Sequence, residues 1–210
     1  MDLRDKRICL VLSCKRPYYV NRRNRYAEQY EEIRDKGFVV IFLYGEVGRR
    51  ELLLEEGELA LYVPVQDLYK NLTTKMILAY EYLLEKGVAG ILKMDDDVQM
   101  RDASILDGEL TQADYSGVQE FGVSAGGTFP LKTTSEIFYV HTRIQYFTGP
   151  FYWLSRKGLE QVIRVGVKYP WEDINIGYSI GLDSSLIVCN THAKGKQVVW
   201  YDEHEHDGDD

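Results

Sequence analysis

The sequence predicts an α/β fold with a mixed, mainly parallel central sheet flanked by helices. Three observations predict it. Short β-rich runs at Arg7–Ser13 (RICLVLS), Phe38–Tyr44 (FVVIFLY) and Ala89–Met94 (AGILKM) are apolar on both faces, as strands of a covered parallel sheet are. Stretches of helical period separate them, at Arg23–Lys36 and Asn71–Lys86. Strand, helix, strand, helix, strand in that order is the pattern of a nucleotide-binding α/β layer.

Each element has a local reason. Tyr26, Tyr30 and Ile33 fall at helical spacing before a stop at Gly37. In the second helix Leu72, Lys75–Met76, Ala79–Tyr80 and Leu83 keep the 3.6-residue period, and Gly87 supplies the C-terminal stop. The second half is less regular. Tyr115–Val118, Phe151–Leu154, Leu186–Cys189 and Gln197–Tyr201 read as strands, antiparallel ones among them, and Arg156–Val167 and Glu172–Leu182 as helices. Gly122–Pro130 is rich in glycine and small residues and reads as a loop able to move. The closing EHEHDGDD at 203–210 reads as a frayed acidic tail. One domain over 1–202 is the expectation, since 210 residues with 45% hydrophobic content make one substantial core.

Composition narrows the function. A net charge of −8, from 33 acidic and 25 basic residues, argues against nucleic acid as a partner. No stretch approaches the ~20 apolar residues that span a bilayer. Cys9, Cys14 and Cys189 lack CxxC spacing and read as reduced thiols, so a cytoplasmic location is expected. The sixteen tyrosines suit sugar or base stacking as well as core packing.

The strongest chemical signal is Asp95, Asp96 and Asp97, at the tip of an apolar strand. Ligands of open α/β sheets bind beyond the carboxyl ends of the strands. Two carboxylates ~4 Å apart repel by ~4 kcal/mol at an effective dielectric near 20, so a triplet there spreads, protonates or takes a cation. Mn²⁺ or Mg²⁺ would resolve the conflict and would favour a nucleoside diphosphate, since such ions complete their shells with substrate phosphates. A solvated acidic turn is the competing reading. An EF-hand is not, because Met100 and Leu106 stand where Gly and Glu belong. In an extended segment Asp95 and Asp97 point one way and Asp96 the other, free to hold backbone or Lys93.

Three further blocks accompany KMDDDV at 93–98: QDLYKNLTTK at 66–75, YFTGPFYWLS at 146–155 and WEDINIG at 171–177, with NRRNRYAEQY at 21–30 before them. Their order and spacing over residues 20–180 resemble the β-1,3-galactosyltransferase-like family, the Fringe and galactosyltransferase group of GT-A glycosyltransferases. That family shows D-x-Y-x-N-L-T-x-K, DDD, Y-P-x-Y-x-x-G-x-x-Y-x-x-S and E-D-V-x-x-G segments. Its members are usually longer, cysteine-bridged and membrane-tethered. This chain would be a minimal bacterial or virus-encoded relative, or one domain of a larger enzyme.

The resemblance implies a GT-A fold, with a nucleotide-binding half at 1–100 and an acceptor half at 101–202. It also implies metal-dependent, inverting transfer from a UDP-sugar to a hydroxyl of a carbohydrate or glycoprotein acceptor. By it, Asp97 is the first metal ligand, Asp95 a donor contact and second ligand, Asp96 a donor-side residue, and His192 a late imidazole ligand, with His204 and His206 as rivals. Asp173 is the general base with Glu172 beside it. For this pair the competing reading is a helix cap, because carboxylates favour a helix N-terminus. Ser13, Cys14 and Arg16 would grip the nucleoside and Arg25 the diphosphate. Lys75 would reach phosphate or uracil, or else be a solvated helix lysine. Gly149 permits a close backbone approach or a turn before Pro150. Tyr152 and Trp153 read as packing residues, or as a ring at the acceptor rim.

Two other functions compete. A haloacid dehalogenase-type phosphatase would use Asp95 as nucleophile and Asp97 as acid, but Gln99 stands where its motif wants Thr or Val. A non-catalytic nucleotide-sugar-binding module would use the same metal site without turnover.

Overall fold

The computed structural model describes residues 1–15, 17, 20, 21, 24, 26–118, 120–126, 128–130, 137–191 and 199–201. Its centre is one mixed sheet. β1 (Arg7–Leu12) lies between two parallel neighbours, β2 (Phe38–Gly45) and β5 (Gly90–Asp95), and β4 (Glu58–Val63) continues the parallel set beyond β2. β3 (Glu51–Glu55) closes that edge antiparallel to β4. On the other side β12 (Phe151–Ser155) runs antiparallel between β5 and β7 (Tyr115–Gly117), and β13 (Val188–Asn190) follows parallel to β7. The order is β13-β7-β12-β5-β1-β2-β4-β3, the mainly parallel α/β sheet expected.

Helices cover both faces because the central strands are apolar on both. Cys9, Val11, Phe42 and Leu92 point to the face covered by α1 (Ala27–Asp35), which contributes Tyr30 and Ile33. Ile8, Leu10, Ile41 and Ile91 point to the other face. There they meet α2 (Leu72–Glu85), α4 (Arg156–Val165) and α5 (Glu172–Gly181) through Met76, Tyr80, Leu159 and Ile176. Gly37 and Gly87 end α1 and α2 with φ of 81° and 76°, left-handed positions where glycine carries no penalty.

The elements not expected are short. The β3–β4 hairpin turns through Glu56 (φ 49°) and Gly57 (φ 88°), the two positive φ angles of a type I′ turn. A short helix α3 (Glu109–Gln112) also forms. The expected loop at Gly122–Pro130 contains parts of two strands, β8 (Glu120–Val123) and β9 (Thr128–Pro130). Their partners are β11 (Ile144–Phe147) and β10 (Ile137–Tyr139), whose ladders outweigh the low strand propensity of glycine.

After the triplet the chain forms β6 (Val98–Met100), paired with β14 (Val199–Tyr201). The other edge of β6 is held by the buried Gln29 of α1. Its Nε2 donates to the Val98 carbonyl (3.0 Å), and the Met100 N–H donates to its Oε1 (2.8 Å). The tail at 203–210 lies outside the described residues. No helix among the described residues is long and apolar enough to cross a membrane.

Candidate active site

β1 and β5 end side by side, with Leu12 in register with Asp95. The Asp96 N–H still donates to the Leu12 carbonyl (3.2 Å), but Asp96 and Asp97 already occupy a turn, so the triplet does not continue as strand. Each carboxylate is held differently. Asp96 is buried and accepts from Ser13 Oγ at 2.7 Å, which ties the two strand ends together. Asp95 accepts from Lys93 Nζ at 2.6 Å. Burial raises the pKa of the Asp95 carboxyl, Lys93 opposes this, and the charge of neighbouring Asp97 raises it further.

Lys93 is the hub. It stands in an otherwise apolar strand with 1% of its surface exposed, and a buried ammonium requires partners. Besides Asp95 it donates to the Gly149 carbonyl, and it lies 3.7 Å from Glu172 Oε1. Burial alone would lower its pKa, but the charges of Asp95 and Glu172 outweigh that and hold it at about 12.

α5 supplies the facing carboxylates. Glu172 is buried and accepts from the Tyr152 hydroxyl, which in turn shares a hydrogen bond with the Tyr80 hydroxyl. Burial pushes Glu172 up to about 7, against the opposing pull of Lys93. Asp173 accepts from its neighbour's amide, Ile174 N (2.8 Å), and from Gly149 N (3.3 Å). Its pKa is raised by burial, and those amides and Lys93 oppose the rise. Gly149 is a point of close approach: a Cβ there would lie 2.8 Å from Glu172 Oε2.

The structure therefore brings Asp95, Asp97, Gly149, Glu172 and Asp173 together, with Ser13 and Asp96 beside them. Lys75 lies nearby and is not a solvated lysine. It is buried, donating to the Ser13 carbonyl (2.8 Å) and to Asp67 Oδ1 (2.6 Å). Burial lowers its pKa, and Asp67 pulls the other way. Cys14 lines a hollow with Lys15, Tyr44, Tyr62 and Asp67. Tyr152 and Trp153 are core residues, not rim rings. Arg16, Arg25, His192, His204 and His206 lie outside the described residues.

Lys93, expected as a candidate partner of Asp96, pairs with Asp95 instead, because Asp96 turns away to Ser13. Asp67, Tyr69 and Tyr146 are the site residues that sequence reasoning passed over, and the aspartate and tyrosine of QDLYKNLTTK were the signal for the first two. Tyr69 and Tyr146 come from separate segments, the single helical turn Tyr69–Asn71 and β11. The charge of Asp173 reaches both phenols, and burial is the larger cause of their raised pKa values.

Among the described residues no three His, Cys, Asp or Glu side chains form a complete metal cage. Mg²⁺ and Mn²⁺ do not require one, since they are commonly held by one or two carboxylates with substrate phosphates and water supplying the rest. Asp95 and Asp97, mutually repelling at a strand tip, fit that limited role.

No family model matches the sequence, and no curated protein does. Among solved structures, the backbone is similar to a mutant of the Drosophila β1,4-galactosyltransferase 7 in complex with manganese, UDP-Gal and xylobiose. The identity is 11%, the TM-score 0.48, and the match covers 88% of this chain and 64% of that one. It is also similar to a glycosyltransferase involved in glycosylation of the major capsid of PBCV-1. There the identity is 15%, the TM-score 0.41, and the coverage 87% and 81%.

Proposed function

We propose that the protein is a metal-dependent glycosyltransferase of the GT-A type that transfers a sugar from a UDP-sugar to a carbohydrate or glycoconjugate hydroxyl, with inversion. The observation that carries this reading is the convergence of two carboxylate sets from separate motif blocks. Asp95 at the end of β5, with Asp97 in the turn that follows, lies within reach of the charge of Asp173 at the start of α5, and Gly149 joins the two sides, its carbonyl on Lys93 and its amide on Asp173. An aspartyl phosphatase is disfavoured by its own motif, because Gln99 stands where that motif wants Thr or Val.

In this reading Asp95 and Asp97 would hold Mn²⁺ or Mg²⁺, with His192 as a further candidate ligand. The ion, when bound, supplies positive charge to the donor diphosphate. Ser13, Cys14 and Lys75 lie on the nucleotide side, within the half at 1–100, with Arg16 and Arg25 as further candidates. Asp173 accepts the proton of the acceptor hydroxyl as that oxygen bonds to the anomeric carbon. The bond from that carbon to the diphosphate oxygen breaks, and UDP leaves with the electron pair. A carboxylate with a raised pKa is the better base, because proton transfer is most efficient when the pKa approaches the working pH. Glu172 is too deeply enclosed by Tyr152, Tyr80 and Lys93 to meet substrate, and it fixes the start of α5.

The test is a thermal-shift screen of UDP-sugars with Mn²⁺, followed by turnover. Asp97→Ala should lose the Mn²⁺-dependent shift. Asp173→Asn should keep it and lose transfer by about 10²–10⁴-fold, the usual worth of general-base catalysis. Full activity in Asp173→Asn would remove the assigned base. Binding without turnover in the parent protein would leave a nucleotide-sugar-binding module.

A further inference from the structure

Three side chains of α2 make polar contacts beyond their own helix, and each reaches a different part of the candidate site's frame. Lys75 holds the Ser13 carbonyl and Asp67 on the nucleotide side. Tyr80 shares a hydrogen bond with Tyr152, whose hydroxyl donates to Glu172. Thr73 lies two turns before Tyr80 on the same face of the helix. It is buried, and its Oγ1 donates to the Pro170 carbonyl at 2.6 Å.

Pro170 stands three residues before Asp173. The N-cap residue of α5, Trp171, supplies no side-chain capping bond, so the start of that helix is fixed by other means. Its lead-in folds back onto its first turn. The buried Asn175 accepts from the Lys168 and Tyr169 amides at 2.7 and 3.0 Å and donates to the Gly166 carbonyl at 3.1 Å. Residues 166–175 are thereby tied into one unit with Asp173 inside it. From outside, that unit is held by Thr73 at Pro170, by the Tyr152 hydroxyl at Glu172 and by the Gly149 amide at Asp173. The Gly149 bond is 3.3 Å long and weakens with any further retreat, whereas the Thr73 bond is short.

We propose that Thr73 is a positioning residue for sugar transfer: through the Pro170 carbonyl it sets Asp173, and α2 keeps that setting in register with the nucleotide side held by Lys75. The inference rests on the transferase reading for the role of Asp173. Thr73 itself touches no reacting atom, because its hydroxyl is enclosed and spent on Pro170. Its loss therefore acts on the chemical step and not on donor binding. A displacement of about 1 Å at a catalytic group, caused by a change away from the chemistry, can cost roughly 10²-fold in rate.

The experiment compares Thr73→Val, which keeps the shape and removes the hydroxyl, with Thr73→Ser, which keeps the hydroxyl, each alone and in an Asp173→Asn background. Thr73→Ala carries the same comparison should the valine variant not fold. For each protein kcat, the donor KM and Mn²⁺-dependent UDP binding are measured, with thermal melts to verify folding. Thr73→Val should lower kcat by about 10- to 100-fold and leave the donor KM and UDP binding within about twofold, and Thr73→Ser should recover most of the rate. In the Asp173→Asn background the valine change should cost less than about twofold, because the two residues act as one unit and a misplaced base matters only where there is a base. Equal losses in both backgrounds overturn the proposal, as does a parental kcat in Thr73→Val, a loss carried by the donor KM alone, or no recovery with serine. A parent protein that binds UDP with Mn²⁺ and turns over no UDP-sugar sinks the transferase reading, and the role of Thr73 with it. Turnover in the parent with equal losses in both backgrounds sinks the positioning role alone.

Discussion

Replacing Lys93 by methionine keeps the length of the buried stem and removes its charge, so the loss is electrostatic rather than a cavity. Lys93 has its pKa raised from 10.5 to about 12 in the folded protein, so its charge contributes about 2 kcal/mol, fully present below pH 10.5 and lost as pH rises through about 12. Removing one member of a buried charge set costs about 3–5 kcal/mol, because the partners stay buried without compensation. For a chain of this length, a loss of about 2–5 kcal/mol lowers Tm by roughly 5–20 °C. The pH dependence has a definite sign. Glu172, raised from 4.5 to about 7, contributes stability that is full below pH 4.5 and is lost as pH rises through about 7, a swing of roughly 3 kcal/mol. The deficit of Lys93→Met should therefore be larger at pH 8, where Glu172 carries its charge, than at pH 5.5. Adding Glu172→Gln should recover part of it at pH 8. Thermal melts followed by circular dichroism give each value. A Tm within 2 °C of the parent at pH 8, or a deficit that does not depend on pH, would refute the hub role of Lys93.

Other outcomes follow from the same geometry. In Gly149→Ala the new methyl meets Glu172 Oε2, which Tyr152 and Lys93 restrain, so a loss of about 1–3 kcal/mol in chemical unfolding is expected, together with a fall in transfer activity. Burial pushes the Cys9 thiol up to about 12, whereas Cys14 and Cys189 are partly exposed. Titration with a thiol reagent should label Cys14 and Cys189 in the native protein and Cys9 only after denaturation.

The central sheet was legible because RICLVLS, FVVIFLY and AGILKM are apolar on both faces and only a covered parallel sheet satisfies them. The β3–β4 hairpin was not, because glutamates at both ends of ELLLEEGELALYV mask its alternation, and the Glu56–Gly57 turn is a less familiar signal than Asn-Gly. β8 and β11 were missed for a different reason: they pair across an intervening segment that itself forms β9 and β10, and no local pattern encodes that pairing. At the site, the triplet and the Glu172–Asp173 pair stood out as residue types, but their division of labour did not. Alternation along a strand says nothing once Asp96 enters a turn. That Lys93 would pair with Asp95 rather than Asp96 depends on where β12 and α5 dock. That Lys75 is buried was not legible, because the Asp67 that neutralises it sits in an irregular segment eight positions upstream.

The grip of Gln29 on β6 makes the exit from the aspartate turn a latch. A primary amide can present a donor and an acceptor at once, so it substitutes for a missing neighbouring strand. Glutamate at that position could copy it only by keeping its proton. Lifting α1 off the sheet would strand a carbonyl and an amide in the interior and slacken the turn that aims Asp97. The far side of the sheet thereby has a mechanical say in how tightly the acidic tip is held.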